Sequence, residues 1–153
     1  MEILTARLPD ELPVIKELFQ EYAESLSFDL DFQDFREELE TLPGKYGAPK
    51  GCILVAKENG ETLGCVAVRP LSSEICEMKR LYVKPAHRGR GVGRELAVAI
   101  MEEAKRLGYR AMRLDTDVSM KEASALYRAL GFQRIDAYCY NPLPGAMYFE
   151  LKL

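Results

Sequence analysis

Arg88-Gly89-Arg90-Gly91-Val92-Gly93 sets three glycines at alternate positions between basic side chains. Glycine carries no Cβ, so an incoming group can approach the backbone closely there. Upstream, Met78, Leu81, Tyr82 and Val83 give a β-branched and aromatic bias that stops at Pro85. Downstream, Leu96, Ile100, Met101, Ala104 and Leu107 recur at helical spacing. The order is strand, glycine-rich turn, helix. The unpaired N–H groups of the helix's first turn face the turn with a partial positive charge behind them. This is an anion cradle, suited to a phosphate or pyrophosphate. Lys79, Arg80, Lys84, Arg88, Arg90 and Arg94 lie between Glu77 and Glu95 with no acidic residue among them. In a chain of net charge −3 this is a local reversal of sign, which favours a polyanion. Spacing rejects two other phosphate loops. Gly93 is followed by Arg94-Glu95 rather than the Lys-Ser/Thr of a Walker A loop. Counting from Gly89, Arg94 occupies the third glycine's place in a dinucleotide fingerprint.

The elements that must position this turn follow from pattern. A chain of 153 residues, 48% of them hydrophobic, can bury one core, so residues 1–153 are expected to form a single domain. Glu2–Leu8 reads as a short strand. Asp10 is placed to cap a helix with Pro13 in its first turn and Leu12, Ile15, Leu18, Phe19, Tyr22 and Leu26 along its apolar stripe. Asp29 or Asp31 can open a second helix carrying Phe32, Phe35, Leu39 and Leu42, and residues 43–51 read as loop. Cys52–Glu58 and Thr62–Leu71 flank Asn59-Gly60, a strong hairpin signal, and Ser72-Ser73 turns the chain into Ile75–Lys84. After the helix ending near Leu107 come a strand over Arg110–Asp117, a helix over Lys121–Leu130 and strands over Gln133–Tyr138 and Met147–Leu153. The two strand–helix–strand passages imply an α/β (α+β) fold. Its central sheet is mixed, mostly antiparallel, of about seven strands, with helices on both faces.

Other function classes are disfavoured. The net charge argues against a general nucleic-acid binder, and no apolar run reaches membrane-spanning length. The N-terminus lacks the layout of a secretory signal. Cys52, Cys65, Cys76 and Cys139 form no C-x-x-C pair and His87 is the only histidine, so no metal site is expected. The cysteines read as reduced core residues of a cytoplasmic protein.

Arg88-x-x-Gly91-x-Gly93 resembles motif A of the GCN5-related N-acetyltransferase (GNAT) superfamily, which joins the fourth strand to the third helix and binds the pyrophosphate of acetyl-CoA. The order of elements matches that superfamily over essentially the whole chain. Similarity is tightest in Glu77–Gly93, in Ala123–Phe132 and in the ending Tyr138–Leu151, and it looks like the bacterial small-molecule-acetyltransferase-like branch. The resemblance implies an acetyl-CoA-dependent N-acetyltransferase acting on a primary amine by direct transfer in a ternary complex, without a metal. A protein or peptide N-acetyltransferase is an alternative within the enzyme class. A non-catalytic acyl-CoA-binding regulator and a nucleotide-phosphate-binding module are alternatives outside it.

Site residues carry over position by position. The resemblance implies that Leu81, Tyr82 and Val83 lie along the pantetheine arm. The turn Arg88, Gly89, Arg90, Gly91, Val92, Gly93 and Arg94 would hold the phosphates. Glu77, eleven residues before Arg88, matches the general base of the histone-acetylating branch. The plainer reading is a structural carboxylate paired with Lys79 or Arg80. Tyr127, in Leu126-Tyr127-x3-Gly131-Phe132, matches the tyrosine that protonates the departing thiolate; the plainer reading is a core aromatic. Many family members carry asparagine seven residues before that tyrosine, where this chain has Met120. The pantetheine contact is then absent, or Ser119 or Ser124 replaces it. Tyr138, Tyr140, Asn141 and Tyr148 flank Pro142-Leu143-Pro144-Gly145, a stiff loop suited to line the acceptor pocket. Eleven acidic residues between Asp10 and Leu42, against Lys16 and Arg36, form either an acidic rim for a cationic amine or solvated helix faces. The terminal strand is available to pair across a homodimer.

Overall fold

The computed structural model describes residues 1–31 and 34–153. In chain order the elements are β1 (Glu2–Thr5), α1 (Leu12–Ser25), α2 (Phe35–Thr41), β2 (Cys52–Glu58), β3 (Glu61–Pro70), β4 (Ile75–Val83), α3 (Val92–Arg106), β5 (Ala111–Asp117), α4 (Lys121–Ala129), β6 (Gln133–Ile135) and β7 (Ala146–Lys152). The seven strands form one sheet in the order β1-β2-β3-β4-β5-β7-β6, parallel only between β4 and β5.

Strand periodicity feeds two cores, one on each face of the sheet. Along β2, Cys52, Leu54 and Ala56 pack with Leu96, Ala97 and Ile100 of α3, whereas Ile53 and Val55 pack with Ile15, Leu18 and Phe19 of α1. Burying each of the large α1 side chains contributes about 1.5–3 kcal/mol, which holds this helix on the sheet despite its proline in the first turn. The β2–β3 hairpin turns on Asn59 (φ 51°) and Gly60 (φ 80°), the left-handed pair that its sequence demands.

Departures from the sequence expectation have local causes. The residue that precedes α1 is Glu11, not Asp10. The Glu11 carboxylate accepts the Arg7 amide at 2.8 Å and the Lys57 ammonium at 2.6 Å, pinning the helix entry to β2. The second helix starts after Asp34, since the Asp31 amide is taken by Asp29 Oδ1 at 2.9 Å in a turn. Phe32, expected on that helix, lies outside the described residues. The loop at 43–51 contains a short 3-10 turn, Gly44–Tyr46, that buries Tyr46. Strand β6 is three residues long, so Tyr138 stands on a loop.

Candidate active site

The site is built where β4 leaves its neighbours. β4 pairs with β5 only at Ile75, Cys76 and Glu77, opposite Ala111, Met112 and Arg113. β3 pairs Cys65 with Tyr82 but Ala67 with Lys79, so Arg80 and Leu81 together oppose Val66. Arg80, at φ 60°, is the bulged residue, and a bulge bends and twists its strand. Among the described residues, the edge of β4 beyond Glu77 therefore has no strand beside it on the β5 side.

Against that edge lies a cleft of about 630 Å³. One wall is Leu81, Tyr82 and Val83 with the turn residues Arg88, Gly89, Gly91, Val92 and Gly93; the other is the end of α1 and residues 119–123 and 126. Gly89 (φ 79°) and Gly91 (φ 78°) hold the left-handed region, and a Cβ built on either would meet nothing within 4 Å, so the turn stands open. Gly91 caps α3 without a side-chain hydrogen bond, which leaves the first-turn amides to a ligand. Arg88 lines the cleft with its Nε donating to the Val83 carbonyl at 2.9 Å and its guanidinium over the Tyr82 ring at 5.6 Å. Arg90 and Arg94 fall outside the cleft wall. Arg90 reaches the β2–β3 hairpin instead, donating from Nη2 to Glu58 Oε2 at 2.7 Å, and its other arm meets His87 Nδ1 at 3.3 Å.

Beside the cleft lies a cavity of about 30 Å³ between β4 and β5. Tyr22, Leu81 and Met120 line both spaces. Tyr127 of α4 reaches this cavity while its ring packs on Phe132 and Phe149 at 5.7 and 6.4 Å. Burial raises its phenol above the ordinary value, so at neutral pH it is a donor. Tyr127 is thus both a core aromatic and a residue of the cavity wall. Met120 lines the cleft where the family's asparagine would stand, and its sulfur accepts the Thr116 hydroxyl at 3.5 Å. Ser119 also lines the cleft, with its hydroxyl on Asp117 Oδ2 at 2.5 Å, whereas Ser124 does not reach it.

Glu77 lies elsewhere. Its side chain is 2% exposed and lines neither space. Arg69 Nε donates to Oε1 at 2.8 Å and the Tyr138 hydroxyl to Oε2 at 2.6 Å. Arg69 is therefore an ion-pair partner of Glu77, and the Glu77 charge also acts on Lys79. Strand register explains this: Arg69, Glu77, Arg113 and Glu150 are mutual neighbours across β3, β4, β5 and β7 on one face, so charges alternate along the row. Arg113 closes the row with Nε on Glu150 Oε2 at 2.7 Å and stacks on Tyr138 at 5.5 Å. One step further along the same face, Lys79 Nζ meets Asp115 Oδ1 at 3.5 Å, across the gap where the strands have parted. Asn141 Nδ2 donates to Asp115 Oδ2 at 3.1 Å. Asp115 and Lys79 both line the small cavity. Sequence reading passed over Asp115; its place two residues beyond Arg113 on an alternating strand was the available signal.

Of the loop residues, Tyr138 and Asn141 reach back to the sheet, but Tyr140 is 76% exposed and points to solvent. The acidic residues of the N-terminal third divide rather than forming one rim. Glu11 is buried against Lys57, Glu38 binds Arg80, and Asp34 and Glu37 line a separate cleft with Lys45 and Arg69.

Comparison with known proteins agrees with this geometry. The model of the acetyltransferase (GNAT) family matches residues 12–132. An uncharacterised N-acetyltransferase of Schizosaccharomyces pombe is 41% identical over all of this chain and 95% of its own length. A Klebsiella pneumoniae structure assigned as an acyl-CoA N-acyltransferase superposes with a TM-score of 0.76 at 27% identity, covering 99% of this chain and 97% of that one. YncA of Salmonella typhimurium, assigned as an acetyltransferase and solved with its cofactor acetyl-CoA, shares the fold with a TM-score of 0.72 at 22% identity, covering 99% of this chain and 93% of that one. The seven-stranded sheet with its parted strands, the glycine turn at a helix start and the family match over most of the chain lead to one assignment: the protein is an acetyltransferase of the GNAT family.

Proposed function

We propose that this acetyltransferase moves the acetyl group of acetyl-CoA to the primary amine of a small molecule by direct transfer within a ternary complex. The observation that carries this reading is the cleft that runs from the uncapped start of α3 to the free edge of β4 at Leu81, where a small cavity lined by Tyr127 shares Tyr22, Leu81 and Met120 with it. The residues fit the group. Gly89, Gly91 and the first-turn amides of α3 would hold its phosphates, with Arg88 beside them. The β4 edge at Leu81 and Val83 would pair with the amides of its pantetheine arm. Bound there, acetyl-CoA supplies an activated thioester. Tyr127, kept protonated by burial, would donate to the departing sulfur. The acceptor side supports a slim amine: the parted strands leave only about 30 Å³, under a loop tied down by Tyr138 and Asn141.

The test is thiol release from acetyl-CoA over a panel of amines, amino acids, polyamines and peptides. Turnover with small amines and none with peptides is expected. Tyr127→Phe keeps the ring's packing and removes the donor, so acetyl-CoA affinity should hold while kcat falls about 10²-fold. Unchanged kcat in Tyr127→Phe would return the tyrosine to a packing role. Preference for peptide acceptors would move the assignment to a peptide N-acetyltransferase.

A further inference from the structure

Two carboxylates stand near the parting of β4 and β5, and one of them faces it. Glu77 is enclosed by Arg69 and Tyr138 and lines neither the cleft nor the inner cavity. Asp115 lines the inner cavity together with Tyr127 and Leu81, beyond the last paired residues of the two strands. We propose that Asp115 is the residue that receives the acceptor amine and takes its proton as the new C–N bond forms. This rests on the acetyl-transfer reading above and deepens it.

The geometry supports the role on three counts. The cavity shares Tyr22, Leu81 and Met120 with the cleft, so Asp115 sits where a thioester lying along the β4 edge would end. The carboxylate is held still: Asn141 Nδ2 donates to Oδ2 at 3.1 Å, and Asn141 is itself fixed by accepting the Leu143 amide at 3.0 Å. Asn141 is thus a positioning residue that carries the loop's rigidity to Asp115. Finally, Lys79 brings a primary ammonium to Asp115 Oδ1 at 3.5 Å, so this pocket already accommodates the group that an acceptor would present. Burial pulls the Lys79 ammonium below its ordinary value, which lowers the cost of yielding Asp115 to an incoming amine.

The proton count closes. The acceptor loses its first proton to solvent as it enters; the neutral amine nitrogen then bonds to the acyl carbon and the C–S bond breaks. The nitrogen's proton passes to Asp115, and the thiolate takes a proton from Tyr127. Asp115 and Tyr127 line one cavity that is large enough for a water, so the proton returns from the first to the second between turnovers.

The experiment is steady-state kinetics on the full chain with the best amine of the panel, beside calorimetry with acetyl-CoA. Asp115→Asn should lower kcat by about 10²-fold and raise the amine KM. Its acetyl-CoA Kd should stay within about threefold, since Asp115 does not line the coenzyme cleft. Asp115→Glu keeps the charge beside Lys79 but displaces the oxygens, so its kcat should fall between the two. It also serves as the test should the asparagine variant fail to fold. Wild-type kcat in either variant overturns the assignment while leaving the transferase standing. Failure of the wild type to release thiol with any amine overturns the transferase reading itself, and the assignment with it.

Discussion

The Arg80 guanidinium meets the Glu38 carboxylate edge to edge, with Nε on Oε2 at 2.8 Å and Nη2 on Oε1 at 2.9 Å. Arg80 is the bulged residue of β4 and Glu38 belongs to α2, so this pair fastens the second helix to the distortion that opens the sheet. Tyr22 and Phe35 lie against the guanidinium at 5.8 and 5.2 Å, and the Tyr46 hydroxyl donates to the same Glu38 oxygen at 2.9 Å. Removing one partner of a buried pair costs more than forming it gained. Glu38→Ala should therefore destabilise the protein by about 3 kcal/mol, a fall in Tm of roughly 6–12 °C in a chain of this size. An unchanged melting curve would show that α2 does not brace the bulge.

The coenzyme cradle makes a separable prediction. At φ 78°, valine at position 91 meets about 1–2 kcal/mol of backbone strain and fills the open turn. Gly91→Val should weaken acetyl-CoA binding by at least about tenfold. Arg88→Ala should also weaken it, and its loss should shrink as salt is raised because the missing contribution is a screened charge. Wild-type CoA affinity in Gly91→Val, measured by calorimetry, would remove the cradle from the phosphates.

Stability should depend on acid through Glu11. Hydrogen bonds from Lys57 and from the Arg7 amide hold its carboxyl below the ordinary value of 4.5. A carboxyl whose folded pKa is depressed stabilises the fold above its unfolded pKa and loses that contribution as pH falls through the folded one. Glu11→Gln should cost about 1–2 kcal/mol at pH 7 in urea unfolding. The gap to wild type should close progressively below pH 4.5. A gap that is constant down to pH 3 would mean that shape rather than charge carries the contact.

The thiols give a readout of packing. Cys52, Cys65 and Cys76 are buried, but Cys139 is exposed on the loop before β7, contrary to the core role read for all four. Its thiol is nonetheless pushed up to about 11, chiefly by desolvation with Asp115 and Glu77 adding to the rise. Alkylation of the native protein should therefore modify Cys139 alone, slowly at pH 7 and faster towards pH 10 as thiolate forms. Rapid modification of Cys65, whose thiol is held at about 12 by burial, would contradict the packing of α1 on the sheet.

Local signals carried most of the fold and the backbone lining of the candidate cleft. The Asn59-Gly60 turn, the apolar stripe of α1 and the glycine turn before α3 are short-range patterns, each with one physical solution. What escaped is long-range. Nothing in the spacing of Glu77 announces that Tyr138, sixty-one residues on, will lie across it. The bulge was also hidden, because Arg80 takes a positive φ without a glycine to advertise it. Arg90 and Arg94 were legible only as charge: composition marked a basic stretch, and the fold sends Arg90 to Glu58 and leaves Arg94 exposed. Motif spacing located the turn and strand that line the candidate cleft, and tertiary pairing set the side-chain partners.

The unpaired edge of β4 has a consequence outside chemistry. A bare strand edge is a template on which a second chain can nucleate a growing sheet. Here that edge is central and recessed, walled by the end of α1 on one side and the start of α4 on the other. A second strand would have to come in between those two helices to pair with it. The helices that wall the cleft are therefore also what stands between this edge and another chain.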